Sequence, residues 1–166
     1  MFTSRLKRLI TKYYAFLVED YGFSIQPSQG ITWTDAYELI NEHCTFRFYK
    51  EKGIIVNEIK PADKIFDKLE WGRWKSKYVE IIGVVLALEN NIVLDGPVFW
   101  DEAYKAGYRR TMEFWAKIVR ENFDKLLKGD LEEWKKVDRG LKRDKEKAEK
   151  MKNEFYKLRK NRKISP

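Results

Sequence analysis

The chain has 166 residues, 43% of them apolar and 15% aromatic, enough for one buried core and too many large side chains for disorder over most of its length. One cysteine excludes an internal disulfide framework, and one histidine excludes a zinc finger or a multi-histidine metal site. The formal net charge of +8 is uneven: residues 135–166 carry 14 basic and 5 acidic side chains, whereas residues 1–134 carry 20 and 21.

In chain order, residues 3–20 read as one amphipathic helix, with Leu6, Leu9, Ile10, Tyr13, Phe16 and Leu17 at three- and four-residue spacing. Tyr21-Gly22 ends it, glycine accepting the left-handed backbone that follows a helix. Arg5, Lys7 and Arg8 imitate the start of a signal peptide. The apolar stretch behind them is broken by Lys12 and closed by Glu19-Asp20, so a cytoplasmic protein is expected.

From Phe23 to Lys60 the period becomes two. Phe23-Ser24-Ile25 is extended up to Pro27, and the stretch from Trp33 to Ile40 suits a strand or a short helix. Cys44, Phe46 and Phe48 alternate with Thr45, Arg47 and Tyr49 as in a half-buried strand. Glu51-Lys52-Gly53 is a hairpin turn, and Ile54 to Ile59 is a strand closed by Pro61. Together these predict an antiparallel meander of three or four strands covered by the flanking helices.

Beyond Pro61 the pattern is helical. Ala62–Leu69 is a short helix, and Ser76–Asn90 is a helix apolar on nearly all sides, its β-branched content leaving a strand open. The longest apolar run, Ile81 to Leu88, is too short to span a bilayer, so no membrane partner is expected. Asp101 opens a long helix to Lys128, with Tyr104, Tyr108, Thr111, Trp115, Val119 and Leu126 on one face. Gly129 stops it, and Asp130 with Glu133 resembles a capping box for the last helix. That helix carries a heptad seam, Trp134, Val137, Leu141, Asp144, Ala148, Met151, Phe155 and Leu158, interrupted by Asp144 and weakened by Gly140. The seam fits a helical hairpin with the Asp101–Lys128 helix, or a second copy of the chain. The expected fold class is α+β: a globular domain over 1–128, and a basic C-terminal helix and tail over 129–166 that extends it.

Reactive constellations are weak. His43-Cys44 is the one pair that suggests nucleophilic catalysis, but adjacent strand residues point to opposite faces. The paired acids Asp101-Glu102 and Glu132-Glu133 fall in first helical turns, where carboxylates favour the helix dipole. Asp35, Glu38, Glu42 and Glu58 lie near the sheet with no metal-ligand spacing, and the glycines do not cluster as in a phosphate loop. No catalytic residue, cofactor or metal is expected.

Two surfaces remain as candidates. Trp33, Tyr37, Tyr49, Trp71, Trp74 and Trp100 read first as core. Those exposed among them would, with Arg47 and Arg73, form a protein-binding hot spot, most directly Arg47, Tyr49, Trp71, Arg73 and Trp74. The basic helix, through Lys135, Lys136, Arg139, Lys142, Arg143, Lys150, Arg159, Lys160 and Arg162, either tracks a nucleic-acid backbone or is a solvated face.

The order of an N-terminal helix, then Phe16-Leu17-Val18-Glu19-Asp20-Tyr21-Gly22-Phe23, then a meander with Cys44-Thr45-Phe46-Arg47-Phe48-Tyr49-Lys50-Glu51-Lys52-Gly53-Ile54-Ile55-Val56 resembles small bacterial proteins of the toxin-immunity type over about the first 60 residues. The resemblance implies a non-enzymatic binder that blocks a toxin and assigns no residue a role. The expectation is therefore a cytoplasmic protein-binding module of bacterial or phage type that occludes an acidic partner. Nucleic-acid binding through residues 135–163 and self-association through the 134–158 seam are the alternatives.

Overall fold

A computed structural model describes residues 4–29, 35–70, 77–89 and 92–162, without the side chains of 155, 156 and 158–162. The fold is α+β, as the change of period from helical to two and back implies. The first helical stretch is two helices, α1 (Arg5–Tyr13) and α2 (Ala15–Tyr21), where a single helix is expected. The break falls at Tyr14, whose backbone (φ −109°, ψ 20°) departs from the helix. It lets Tyr14, Phe16 and Leu17 all enter the core, a 14-16-17 spacing that no single helical face can offer.

Five strands follow, β1 (Ser24–Pro27), β2 (Ala36–Ile40), β3 (Cys44–Glu51), β4 (Ile54–Pro61) and, after the four-residue helix α3 (Asp63–Phe66), β5 (Val79–Glu80). They form one antiparallel meander in sequence order. The expected helix over 76–90 is thus a two-residue strand and then α4 (Ile81–Leu88); residues 76 and 90 lie outside the described part. Cys44, Phe46 and Phe48 face inward and are fully buried. The Tyr14 ring meets Phe48 edge-on at 4.8 Å between centroids, and Phe23 meets Phe46 at 5.8 Å, geometries that favour aromatic pairs.

Asn41 ties the β2–β3 turn to two helix ends. Its amide donates to the carbonyls of Tyr21 and Leu127, and its side-chain oxygen accepts from the backbone N–H groups of His43 and Cys44.

The long helix expected over 101–128 comes in pieces. α5 (Trp100–Asn122) turns at Gly107 (φ 79°, ψ 169°), and α6 (Asp124–Leu127) follows a break at the buried Phe123. The turn at Gly107 changes the helix phase. Thr111, Trp115 and Val119 are buried as expected, while Tyr104, expected on their face, is 68% exposed. Before the turn, Ala103 packs with Ile54, Val56 and Tyr49 on the outer face of the sheet; after it, α5 joins the main core.

α7 (Leu131–Arg162) starts after the left-handed Gly129 (φ 77°), and the Asp130 carboxylate accepts the Glu133 N–H at 2.9 Å, one half of the expected capping box. The other half is absent among the described residues, since the Asp130 N–H donates to the Lys125 carbonyl and the Glu133 carboxylate pairs with Lys136. Trp134, Val137 and Leu141 are buried in the same core as the sheet. Their neighbour is α4, not α5. Gly140 lies so close to Ala87 that a Cβ there would stand 2.6 Å from the Ala87 Cα and overlap its carbonyl oxygen. The glycine that weakens the helix in isolation is what allows this crossing.

Candidate interaction surfaces

The heptad seam divides in two. Its first three positions are filled by the protein's own core, whereas every described side chain from Lys145 outward is exposed, Met151 to 70%. Residues 145–162 extend the helix by about 27 Å at 1.5 Å per residue, with eight basic and three acidic side chains.

The cations of the nucleic-acid alternative divide at nearly the same place. Lys135 pairs with Glu132, Lys136 with Glu133, Lys142 with Glu70, and Arg143 with Glu89 and Asp144, all within 3.2 Å. Arg139 and Lys150 are exposed, and the side chains of Arg159, Lys160 and Arg162 lie outside the description. Apart from Arg139, the candidate cations at the base of α7 are thus used within the chain, and its far end carries the surplus. The Arg143–Glu89 pair also holds the C-terminal end of α4, where Glu89 adopts a left-handed backbone (φ 48°).

Asp138, buried on α7, accepts the Glu70 N–H at 2.8 Å. Burial is the larger influence and holds its carboxyl above the ordinary range. A raised folded-state value favours the folded protein below the unfolded carboxylate range, and that contribution is lost as pH rises through the folded value. Asp138→Asn keeps an acceptor for Glu70, so it is expected to raise Tm at pH 7, with the gain shrinking as pH falls through the carboxylate range. Thermal unfolding of both proteins across acidic to neutral pH checks this; parallel curves would contradict it.

Of the expected hot spot, Arg47 and Tyr49 are described, and Trp71, Arg73 and Trp74, like Trp33, lie outside the described residues. Cross-strand register places Gln26, Glu38, Arg47, Glu58 and Glu80 in one row on the outer face, one from each strand. Arg47 is 17% exposed and already engaged. Its Nε donates to Glu58 at 2.8 Å, and its guanidinium lies 3.7 Å from the centroid of the Tyr78 ring. Tyr49 donates to Glu58, Tyr78 and Ser28 donate to Glu38, and Lys60 stands over the other partner of this stack, the Tyr78 ring, at 4.9 Å. Burial first, then the Glu58 charge, pushes the Tyr49 phenol up to about 12, and burial beside Glu58 and Glu51 raises Glu80.

The centre of this row, Glu38, Arg47 and Glu58, spends its hydrogen bonds within the chain. Among the described residues, large aromatics face solvent as Phe99, Trp100 and Tyr104 at the start of α5, of which the sequence offers only Trp100 as a candidate for partner binding. A glycine at the hairpin tip, Gly53, makes room for the Tyr104 ring, and Lys52 stands 5.7 Å from the Trp100 ring.

The reactive pair does not assemble. Cys44 is fully buried and its thiol is raised by burial, while the His43 ring turns toward Glu42 and packs against Gly129. Asp35 meets Lys50 and Glu42 meets Lys64, while Glu38 and Glu58 are held by the stacked Tyr78 and Arg47, so each of the four acids is engaged by a side chain of the protein. Among the described residues no three His, Cys, Asp or Glu converge as a metal ion requires. Glu102 accepts the N–H groups of Val98 and Phe99 and so caps α5. No helix among the described residues is long and apolar enough to cross a membrane.

The fold thus places an α+β body beside a projecting basic helix. No protein family, curated protein or solved structure matches the chain.

Proposed function

We propose that the protein is a non-enzymatic, cytoplasmic binding module that covers an acidic surface of another protein, an inhibitor of the toxin-immunity kind that its first 60 residues resemble. The supporting observation is the far part of α7: a helix already anchored by Trp134, Val137 and Leu141 that carries Ala148 and Met151 exposed on the continuing seam, beside the exposed Lys147 and Lys150. An amphipathic helix offers an acidic partner apolar anchors flanked by complementary charge, which speeds encounter and makes it salt-sensitive.

Immobilised full-length protein is expected to retain a protein partner at low salt and release it as salt rises. Lys147→Glu/Lys150→Glu and Met151→Lys, which touch no core residue, are each expected to weaken retention at least tenfold without altering Tm. Absence of any retained protein, or retention that neither variant changes, would overturn the proposal. Retention that nuclease treatment abolishes would transfer the helix to the nucleic-acid reading. A mass that doubles for the wild type and returns to monomer with Met151→Lys would make the partner a second copy.

A further inference from the structure

A groove of about 310 Å³ lies between α1 and α5, lined by Arg5, Arg8, Leu9, Lys12, Tyr13 and Arg109. Four of its six side chains are cationic and none is acidic. Among the described residues none of the four has a carboxylate within ion-pair distance, although the rest of the body pairs Arg47, Lys50, Lys64, Lys128 and Arg143 with acids. The groove is assembled by residues about a hundred positions apart, and the turn at Gly107 brings Arg109 to it.

Two local rules are broken where α1 presents these charges. Arg5 occupies the first helical position, where the helix dipole disfavours a cation, and no acid lies in that turn. Arg8 and Lys12 are like charges at i,i+4, a spacing that destabilises a helix. Local rules broken together on one concave surface mark a site. The Arg5 guanidinium is positioned by the Tyr108 ring, 5.3 Å from its centroid, and the Lys12 ammonium lies 5.1 Å from that of Tyr13.

We propose that this groove binds a phosphate-bearing ligand. Three guanidinium groups offer paired N–H donors in the planar fork that matches phosphate oxygens, and four positive charges exceed what one carboxylate would balance. The site is separate from α7 and stands or falls without it.

The test uses the full-length chain with two phosphate probes, pyrophosphate and a fluorescein-labelled single-stranded oligonucleotide, and with an oligoglutamate peptide as a competitor, each titrated at low salt. Arg8→Ala/Arg109→Ala is expected to weaken binding at least tenfold, while Lys117→Ala, an exposed cation elsewhere on α5, stays within twofold of wild type. Removing the like-charge pair relieves α1, so circular dichroism should find the double variant folded. Pyrophosphate that binds as tightly as the oligonucleotide and displaces it assigns a free phosphate group; affinity that rises with oligonucleotide length assigns a phosphodiester strand. Failure of both probes to bind wild type would overturn the proposal. So would binding that the double variant leaves unchanged, which would direct an oligonucleotide to α7, or a groove that takes an oligoglutamate peptide in preference to pyrophosphate.

Discussion

Gly140→Ala is expected to destabilise the protein by about 2 kcal/mol or more, although the same change in an exposed helix interior would stabilise it by about 1 kcal/mol. The sign reverses because the new methyl meets the main chain of Ala87, which no rotamer change can move aside. α4 and α7 must separate, which strips contact from Leu141 and Ala87 and strains the Arg143–Glu89 pair. Thermal unfolding should record a fall of roughly 4–8 °C for a domain of this size. Gly83→Ala is the companion measurement: its nearest neighbour is the Val79 Cγ1 at 3.0 Å, a side-chain tip that can give, so a change near zero is expected. Equal and small effects for the two glycines would mean that the helices cross at a greater distance.

Trp134→Ala is expected to cost about 3–5 kcal/mol, the range for removing a fully buried large aromatic. The side chain is wholly enclosed, and its indole N–H donates to the Leu126 carbonyl at 3.2 Å, fastening the end of α6 to the start of α7. Domains of this kind have only about 5–15 kcal/mol of total stability, so the variant loses a large share of it and should melt about 6–20 °C below wild type. Trp134→Phe retains much of the volume and loses the hydrogen bond, and a loss of about 1–2 kcal/mol is expected from denaturant titration. If instead both variants melted like wild type, α7 would not be part of the core, and the anchor that the binding proposal relies on would be gone.

Where the backbone follows a single period, the chain could be read directly. Cys44, Phe46 and Phe48 alternate because a sheet has two faces, and all three are buried. Gly129 and Asp130 mark a helix boundary by their own chemistry. The hidden features are those in which one residue resets the phase or two distant ones meet. Gly107 turns α5, so a helical wheel drawn from Trp115 backwards puts Tyr104 on the wrong face. Gly140 looks like a flaw in a seam until Ala87 is placed against it. Arg8 and Arg109 contribute to a segment whose net charge is −1, so composition conceals a groove that only the packing of α1 on α5 assembles. The partial burial of Arg47 had a sequence signal in its register opposite Glu58, a pairing visible once the hairpin turn at Lys52-Gly53 is fixed.

The borders of the sheet carry a consequence for how this molecule meets others. β1 is four residues long and ends in a proline with no N–H to offer, and β5 is only two residues long. Beyond β5, the stretch of β4 from Ile54 to Asn57 lines a small cleft together with Pro97, Val98 and Ala103. Among the described residues, neither margin leaves a long row of open peptide groups for a foreign chain to extend. Concentrated solutions should therefore resist fibril growth through strand addition, and recognition must go through side chains.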